Sequence, residues 1–147
     1  MKILALDIAT TTGYSSSSGE SGTFNCSFKK GESGSIRLLR FRNKVTELLD
    51  LIKPDIVAYE RSAGRNTHSI KTQSEMIGVL TLMLEDRNIH YASYSPSEVK
   101  KFFTGKGNAS KEYMIKTAKK KYPEIEIIDD NHSDALAILE LAQSDLL

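Results

Sequence analysis

The sequence predicts an α/β domain, on three observations. Residues 1–29 hold three β-capable segments separated by turn signals. Amphipathic helical stretches then alternate with short apolar runs of strand length. Finally, the first and later apolar runs are interrupted or ended by carboxylates (Asp7 in MKILALDIATTTG, Glu60 in DIVAYE), and an ionised carboxylate taken out of water needs a compensating partner. At 147 residues the chain is long enough for one domain with a real core, and the expectation is a single unit over 1–147.

Ile3 to Leu6 reads as a strand buried on both faces. Asp7 follows, and it either needs a bound cation or sits at the strand end and caps the TTTG turn (Thr10 to Gly13). Tyr14 to Ser18 and Thr23 to Phe28 are the next two strands, with Gly19-Glu20-Ser21-Gly22 turning between them, so the first three strands are antiparallel. Cys26, the single cysteine, reads as a strand residue and not a nucleophile, with no helper group near it; one cysteine also excludes a disulfide framework and suits a reducing compartment. Lys29 to Ser35 is a glycine-containing loop ending in Ser35, a good N-cap.

From Ile36 to Ile52, Leu38, Phe41, Val45, Leu48, Leu49 and Ile52 recur at three- and four-residue spacing, an amphipathic helix. Arg37, Arg40 and Lys44 form a basic stripe on its polar side, either a solvated face or a contact for phosphate. Pro54 stops the helix. Asp55 to Glu60 is a buried strand, Arg61 to Asn66 (RSAGRN) a positively charged loop, and Thr67 to Arg87 a helix. Within Met76 to Leu84 seven of nine residues are apolar, so that helix must be covered on both sides; the sheet supplies one cover and a second subunit the other, which points to a homodimer. Ile89 to Tyr94 is the next strand. Ser95, Pro96 and Glu98 then form a capping box with proline at the first helical position, the loop Thr104 to Asn108 ends that short helix, and another begins near Ser110.

Between Val99 and Lys121 eight lysines face one acid, a net charge of +7; the whole chain is +1, so the remainder carries −6. That polarisation favours an anionic ligand on one face, the alternative being a solubilising helix. Ile125 to Ile128 is a short apolar stretch and Ala135 to Ala142 an apolar helix. No apolar run approaches the roughly 20 residues of a membrane span, and Asp7 breaks the apolar start too early for a leader peptide. The expected protein is soluble and cytoplasmic, with no membrane and no organic cofactor.

Asp130 and Asp134 open the last helix four residues apart, on one helical face. With Asp7 and Glu60 they can form a hard oxygen site for Mg²⁺ or Mn²⁺ of the kind used in phosphoryl transfer, where two ions about 3.5–4 Å apart activate a water and stabilise the leaving oxygen. Taken singly each acid is a cap or turn residue, and Asp130 is a plausible N-cap.

LALDIATTTGYS, PDIVAYER and DDNHSDALAI resemble the three acidic motifs of RuvC-type Holliday-junction resolvases, within the RNase H-like nuclease superfamily. The resemblance runs from Met1 to about Ala142 and lies in the order and spacing of the motifs. It implies a five-stranded mixed sheet with its first three strands antiparallel, flanked by helices, in a homodimer. It implies divalent-metal cleavage of four-way DNA junctions by paired symmetric nicks. Asp7 and Glu60 match the family's first two acids and Asp134 its last. Lys100 and Lys111 match two lysines used on the DNA backbone near the active site, with Lys111 at the reaction itself; Lys106, Arg61 and Arg65 are further DNA-binding candidates. The family's usual acid or histidine three residues before the last Asp is here Asn131. Asp130 is the favoured replacement and His132 the reserve, the latter otherwise an ordinary exposed histidine. The aromatic that cellular members carry three residues after the second acid is Ala63, which leaves junction opening to Arg61 and Arg65 and makes the chain look more like phage-encoded members, working in a bacterial or phage-infected cell.

Three other readings compete. DIATTTG is similar to the phosphate loop of actin-like ATPases and sugar kinases, but those need two such domains. A less specific nuclease for flaps, forks or hybrids keeps the fold and changes the substrate. A non-catalytic junction-binding protein is hinted at by Asn131.

Overall fold

A computed structural model describes residues 1–62 and 67–147. Strands β1 (Ile3–Asp7), β2 (Thr11–Ser16) and β3 (Ser21–Asn25) are followed by helix α1 (Ile36–Ile52), strand β4 (Ile56–Glu60), helix α2 (Thr67–Asp86), strand β5 (His90–Tyr94), and helices α3 (Pro96–Thr104), α4 (Lys111–Lys121) and α5 (Asp130–Leu146). The sheet order is β3-β2-β1-β4-β5. β1–β2 and β2–β3 are antiparallel, β1–β4 and β4–β5 parallel, the mixed sheet expected from the acidic motifs.

Side-chain alternation along the central strands divides the core in two. Leu4, Leu6, Val57 and Tyr59 pack under α1 and α2 against Phe41, Val45, Leu49, Met76, Leu80 and Leu84. Ile3, Ala5 and Ala58 face the other way, onto α3, α4 and α5, among Val99, Phe103, Met114, Leu136, Ala137 and Ile138. α5 lies across β1 and β2, and Gly13 is the reason it can come so close. A Cβ at Gly13 would stand 2.0 Å from the main-chain oxygen of Asn131 and 2.5 Å from its carbonyl carbon, well inside van der Waals contact.

Several local expectations need correcting. Gly13 lies within β2 and not in a turn; the reversal falls at Ala9 and Thr10, where the Thr12 hydroxyl donates to the Ala9 carbonyl over 2.7 Å. Cys26 lies one residue beyond β3, fully buried, and burial pushes its thiol up to about 11, which removes it as a nucleophile. Ser35 precedes α1 in a helical conformation and accepts no capping hydrogen bond. α1 ends at Ile52 as expected, with Lys53 as its C-cap in the left-handed region at φ 52°, directly before Pro54. The Ser95–Glu98 capping box is present in full, with Gly105 closing α3 at φ 87°. No helix among the described residues is long and apolar enough to cross a membrane.

Candidate active site

β1 and β4 run parallel with Leu6 opposite Tyr59, so Asp7 and Glu60 occupy the next position on neighbouring strands at the same sheet edge. Alternation turns both toward the α5 side, the side of Ala5 and Ala58. α5 begins over that edge. Its N-cap is Asp129, not Asp130: the Asp129 Oδ1 accepts the His132 N–H over 2.9 Å, which leaves the carboxylates of Asp130 and Asp134 one turn apart on the helix.

The electrostatics of this edge are those of crowded like charges. Asp7, only 8% exposed, is held well above the ordinary carboxylate range by burial first and then by the charges of Asp134, Glu60, Asp130 and Asp129. Glu60 is pushed up to about 7 by burial and by Asp134, with the Lys100 charge opposing. Asp134 is pushed up to about 6 by burial and by Asp130, with Lys100 and Lys111 opposing. Among the described residues no hydrogen bond or ion pair reaches the carboxylates of Asp7, Glu60 or Asp134, whereas Asp130 has Lys111 Nζ at 3.6 Å. The side chains share one electrostatic neighbourhood without closing on a point: among the described residues no three His, Cys, Asp or Glu side chains are drawn together at coordination spacing. Bare carboxylates repel, and hard oxygen donors with unused lone pairs are what a divalent cation requires.

His132 is buried, not the exposed histidine of the sequence reading. Its Nδ1 accepts the Ile128 N–H over 3.1 Å and its Nε2 lies 2.9 Å from the Ser21 hydroxyl. With Nδ1 accepting, Nε2 carries the proton and donates to Ser21; burial holds the ring's pKa below its ordinary value. Both nitrogens are thus engaged on β3 and the α5 entry, away from the acids.

Of the basic candidates, Lys100 on α3 opposes the raised pKa values of both Glu60 and Asp134, and Lys111 at the start of α4 is 80% exposed beside Asp130. Lys106 is exposed, its Nζ 5.0 Å from the Tyr113 ring centroid. Arg61 is tied down: its guanidinium donates to the Ser93 carbonyl over 3.1 Å and pairs with Glu98 at 3.2 Å, remaining half exposed. Arg65 and Ala63 lie outside the described residues. Sequence reasoning missed Gly13 and Asp129; the adjacent Asp129-Asp130 pair left the cap ambiguous, and Gly13 gave no sign of its contact more than a hundred residues away.

A mixed five-stranded sheet of this order, flanked by helices, is an RNase H-like fold. Its structural likenesses include Thermus thermophilus RuvC in complex with a Holliday junction substrate (TM-score 0.78, 20% identity, covering 95% of this chain and 90% of that one) and the fowlpox virus resolvase complexed with Holliday junction DNA (TM-score 0.67, 15% identity, 100% and 99%). The chain belongs to the RuvC family: the model of crossover junction endodeoxyribonuclease RuvC matches residues 9–140. A relative of that name from Pseudothermotoga lettingae is 30% identical over 142 residues, covering 92% of this chain and 84% of its own length. One from Corynebacterium glutamicum is 39% identical over 79 residues, 53% of this chain and 36% of the relative. The matched segment is therefore only about a third of the length of that relative, and likewise 35% of its Corynebacterium efficiens counterpart.

Proposed function

We propose that residues 1–147 form one nuclease domain that, as a homodimer, resolves four-way DNA junctions by paired symmetric nicks using two divalent ions, Mg²⁺ or Mn²⁺. The observation that carries this reading is the trio Asp7, Glu60 and Asp134: buried or half-buried carboxylates, mutually repelling, with no protein partner among the described residues. A fold keeps such a set only at a cost in stability, and within the RuvC family a metal-dependent phosphodiesterase is the function that uses it.

Asp7, Glu60 and Asp134, with Asp130 beside them, are the residues that would hold the ions. When bound, divalent ions would supply a nucleophilic hydroxide at neutral pH and would neutralise charge on the leaving oxygen of the phosphodiester. Lys111 and Lys100 place positive charge at the edge of the same cluster and stabilise the extra negative charge of the pentacovalent phosphorus. Lys106 and Arg61, exposed on neighbouring elements, hold backbone phosphates without reading sequence. Arg65 joins them as a proposed DNA contact. The dimer is supported by α2, whose Leu82 is 64% exposed while Ile77, Val79 and Met83 are only half covered; a two-fold enzyme matches the near two-fold junction. The setting is the cytoplasm of a bacterial or phage-infected cell.

The test is cleavage of a synthetic immobile four-way junction with Mg²⁺, Mn²⁺ or EDTA, mapping nicks on all four strands. Symmetric nicks near the branch, absent in EDTA, are expected. Equal nicking of flaps and linear duplex would retain the nuclease and overturn the junction selectivity.

A further inference from the structure

The basic stripe of α1 does not survive folding as a stripe. Arg40 is claimed by Glu32, whose carboxyl its hydrogen bond holds down at about 2, and Lys44 lies 3.5 Å from Glu47. Of the three, Arg37 alone has no carboxylate partner among the described residues. Its guanidinium lies over the Phe28 ring, 5.1 Å from the centroid, and reaches the Thr72 hydroxyl only at 3.5 Å. Its Nε is buried with no hydrogen-bond partner, an arrangement that costs stability unless a ligand completes it.

Arg37 lines a cleft of about 240 Å³ between the β1–β2 turn and the start of α2, with Thr10, Ser69, Thr72 and Gln73 around it. Among the described residues the polar lining consists of hydroxyls, an amide, the His68 imidazole and a guanidinium, with no carboxylate. Ile8, the residue after Asp7, forms one wall, and the Gln73 amide donates to its carbonyl over 2.9 Å. The cleft therefore adjoins the acid cluster from the α1–α2 side of the sheet, opposite the lysines of α3 and α4.

We infer that this cleft is a phosphodiester subsite, with Arg37 as its charged anchor, that grips the DNA strand at a phosphate neighbouring the one cut. A planar guanidinium already oriented by an aromatic ring, with donors unspent, suits a phosphate's paired oxygens; the Thr10, Ser69 and Thr72 hydroxyls can take the remaining one. The inference rests on the nuclease reading, and it places the strand between two basic walls: lysines on one side, Arg37 on the other.

The experiment is equilibrium binding, in EDTA across a series of KCl concentrations, of a four-way junction and of a linear duplex of the same sequence. The proteins are wild type, Arg37→Gln, Arg37→Lys, Thr72→Val and Lys100→Gln, each checked for folding by circular dichroism. Arg37→Gln is expected to weaken junction binding roughly tenfold and to lower the salt slope by about one. Arg37→Lys should keep the slope while losing affinity, and Thr72→Val, which leaves the charge in place, should weaken binding without changing the slope. Methylphosphonate replacement of single phosphates should reveal one position beside the nick that matters to wild type and not to Arg37→Gln. If Arg37→Gln binds as wild type does while Lys100→Gln is weakened, the subsite is overturned and the nuclease reading stands. If wild type binds junction and duplex alike, junction selectivity falls, and the Arg37→Gln slope on the duplex still decides the subsite. Failure of wild type to bind either DNA overturns both.

Discussion

The two sides of the sheet are covered in unequal ways. Under α1 and α2 the strands present Leu4, Leu6, Val57 and Tyr59 to bulky partners such as Phe41 and Met76. The basic residues Arg40, Lys44 and Arg87 there find Glu32, Glu47 and Asp50. Under α5 the strands present Ala5, Ala58 and, at β2, Gly13. Small residues let the helix come close, and closeness brings Asp130 and Asp134 into the electrostatic neighbourhood of Asp7 and Glu60, where among the described residues no hydrogen bond reaches the carboxylates of Asp7, Glu60 or Asp134. One side supplies stability, the other spends part of it on buried, mutually repelling carboxylates.

The sharpest way to test that contrast is to remove one acid. Asp7→Asn and Glu60→Gln should lower junction cleavage by about a thousandfold or more with binding retained or tighter, measured by single-turnover nicking beside an electrophoretic binding assay. Either variant cleaving at the wild-type rate would break the comparison. Next in size is the core of the opposite side. Phe41→Ala should cost about 3–5 kcal/mol by denaturant unfolding, yet the folded fraction should still nick at close to the wild-type rate; Gly13→Ala should cost about 1–3 kcal/mol or more and also lose cleavage, because the backbone it strikes carries α5.

A smaller effect follows from the raised carboxylates. Their folded pKa values, about 7 for Glu60 and about 6 for Asp134 with Asp7 raised as well, exceed the ordinary values near 4. The folded state therefore binds more protons than the unfolded one, and the metal-free protein loses stability as pH rises from about 4 to about 7. Calorimetry in EDTA should show the melting temperature falling over that window. Asp7→Asn should flatten the fall and raise the melting temperature near neutral pH, and Mg²⁺ or Mn²⁺ should raise it in wild type more than in the variant. The smallest expected change is Arg40→Gln, a half-buried pair with Glu32 at the surface, which should lower the melting temperature only slightly and leave the salt slope of DNA binding near wild type.

The elements were legible because each was signalled locally. The apolar spacing of α1 gives its bounds at Ile36 and Ile52, and Ser95, Pro96 and Glu98 announce α3. The acids stood out as charges at the ends of apolar runs, and the fold brings Asp7 and Glu60 to neighbouring strand ends. What stayed hidden depended on distant partners. Arg37, Arg40 and Lys44 look alike along the helix, and only the loop that returns Glu32 to Arg40 tells them apart. His132 reads as exposed because its neighbours are polar, but Ser21 comes from β3 to cover it. The cap of α5 went to Asp129 over Asp130, a choice of one residue that local chemistry does not decide.

The contact between Gly13 and residue 131 passes through main-chain atoms alone on the helix side. Every amino acid brings the same carbonyl to that spot, and the polypeptide is indifferent to what hangs from it. A library randomised at both positions and selected for folding should return glycine at 13 and a broad assortment at 131. Asn131 can therefore stand where the resemblance led to an expected acid or histidine without disturbing the fold: the backbone there is fixed and the side chain is left open to change.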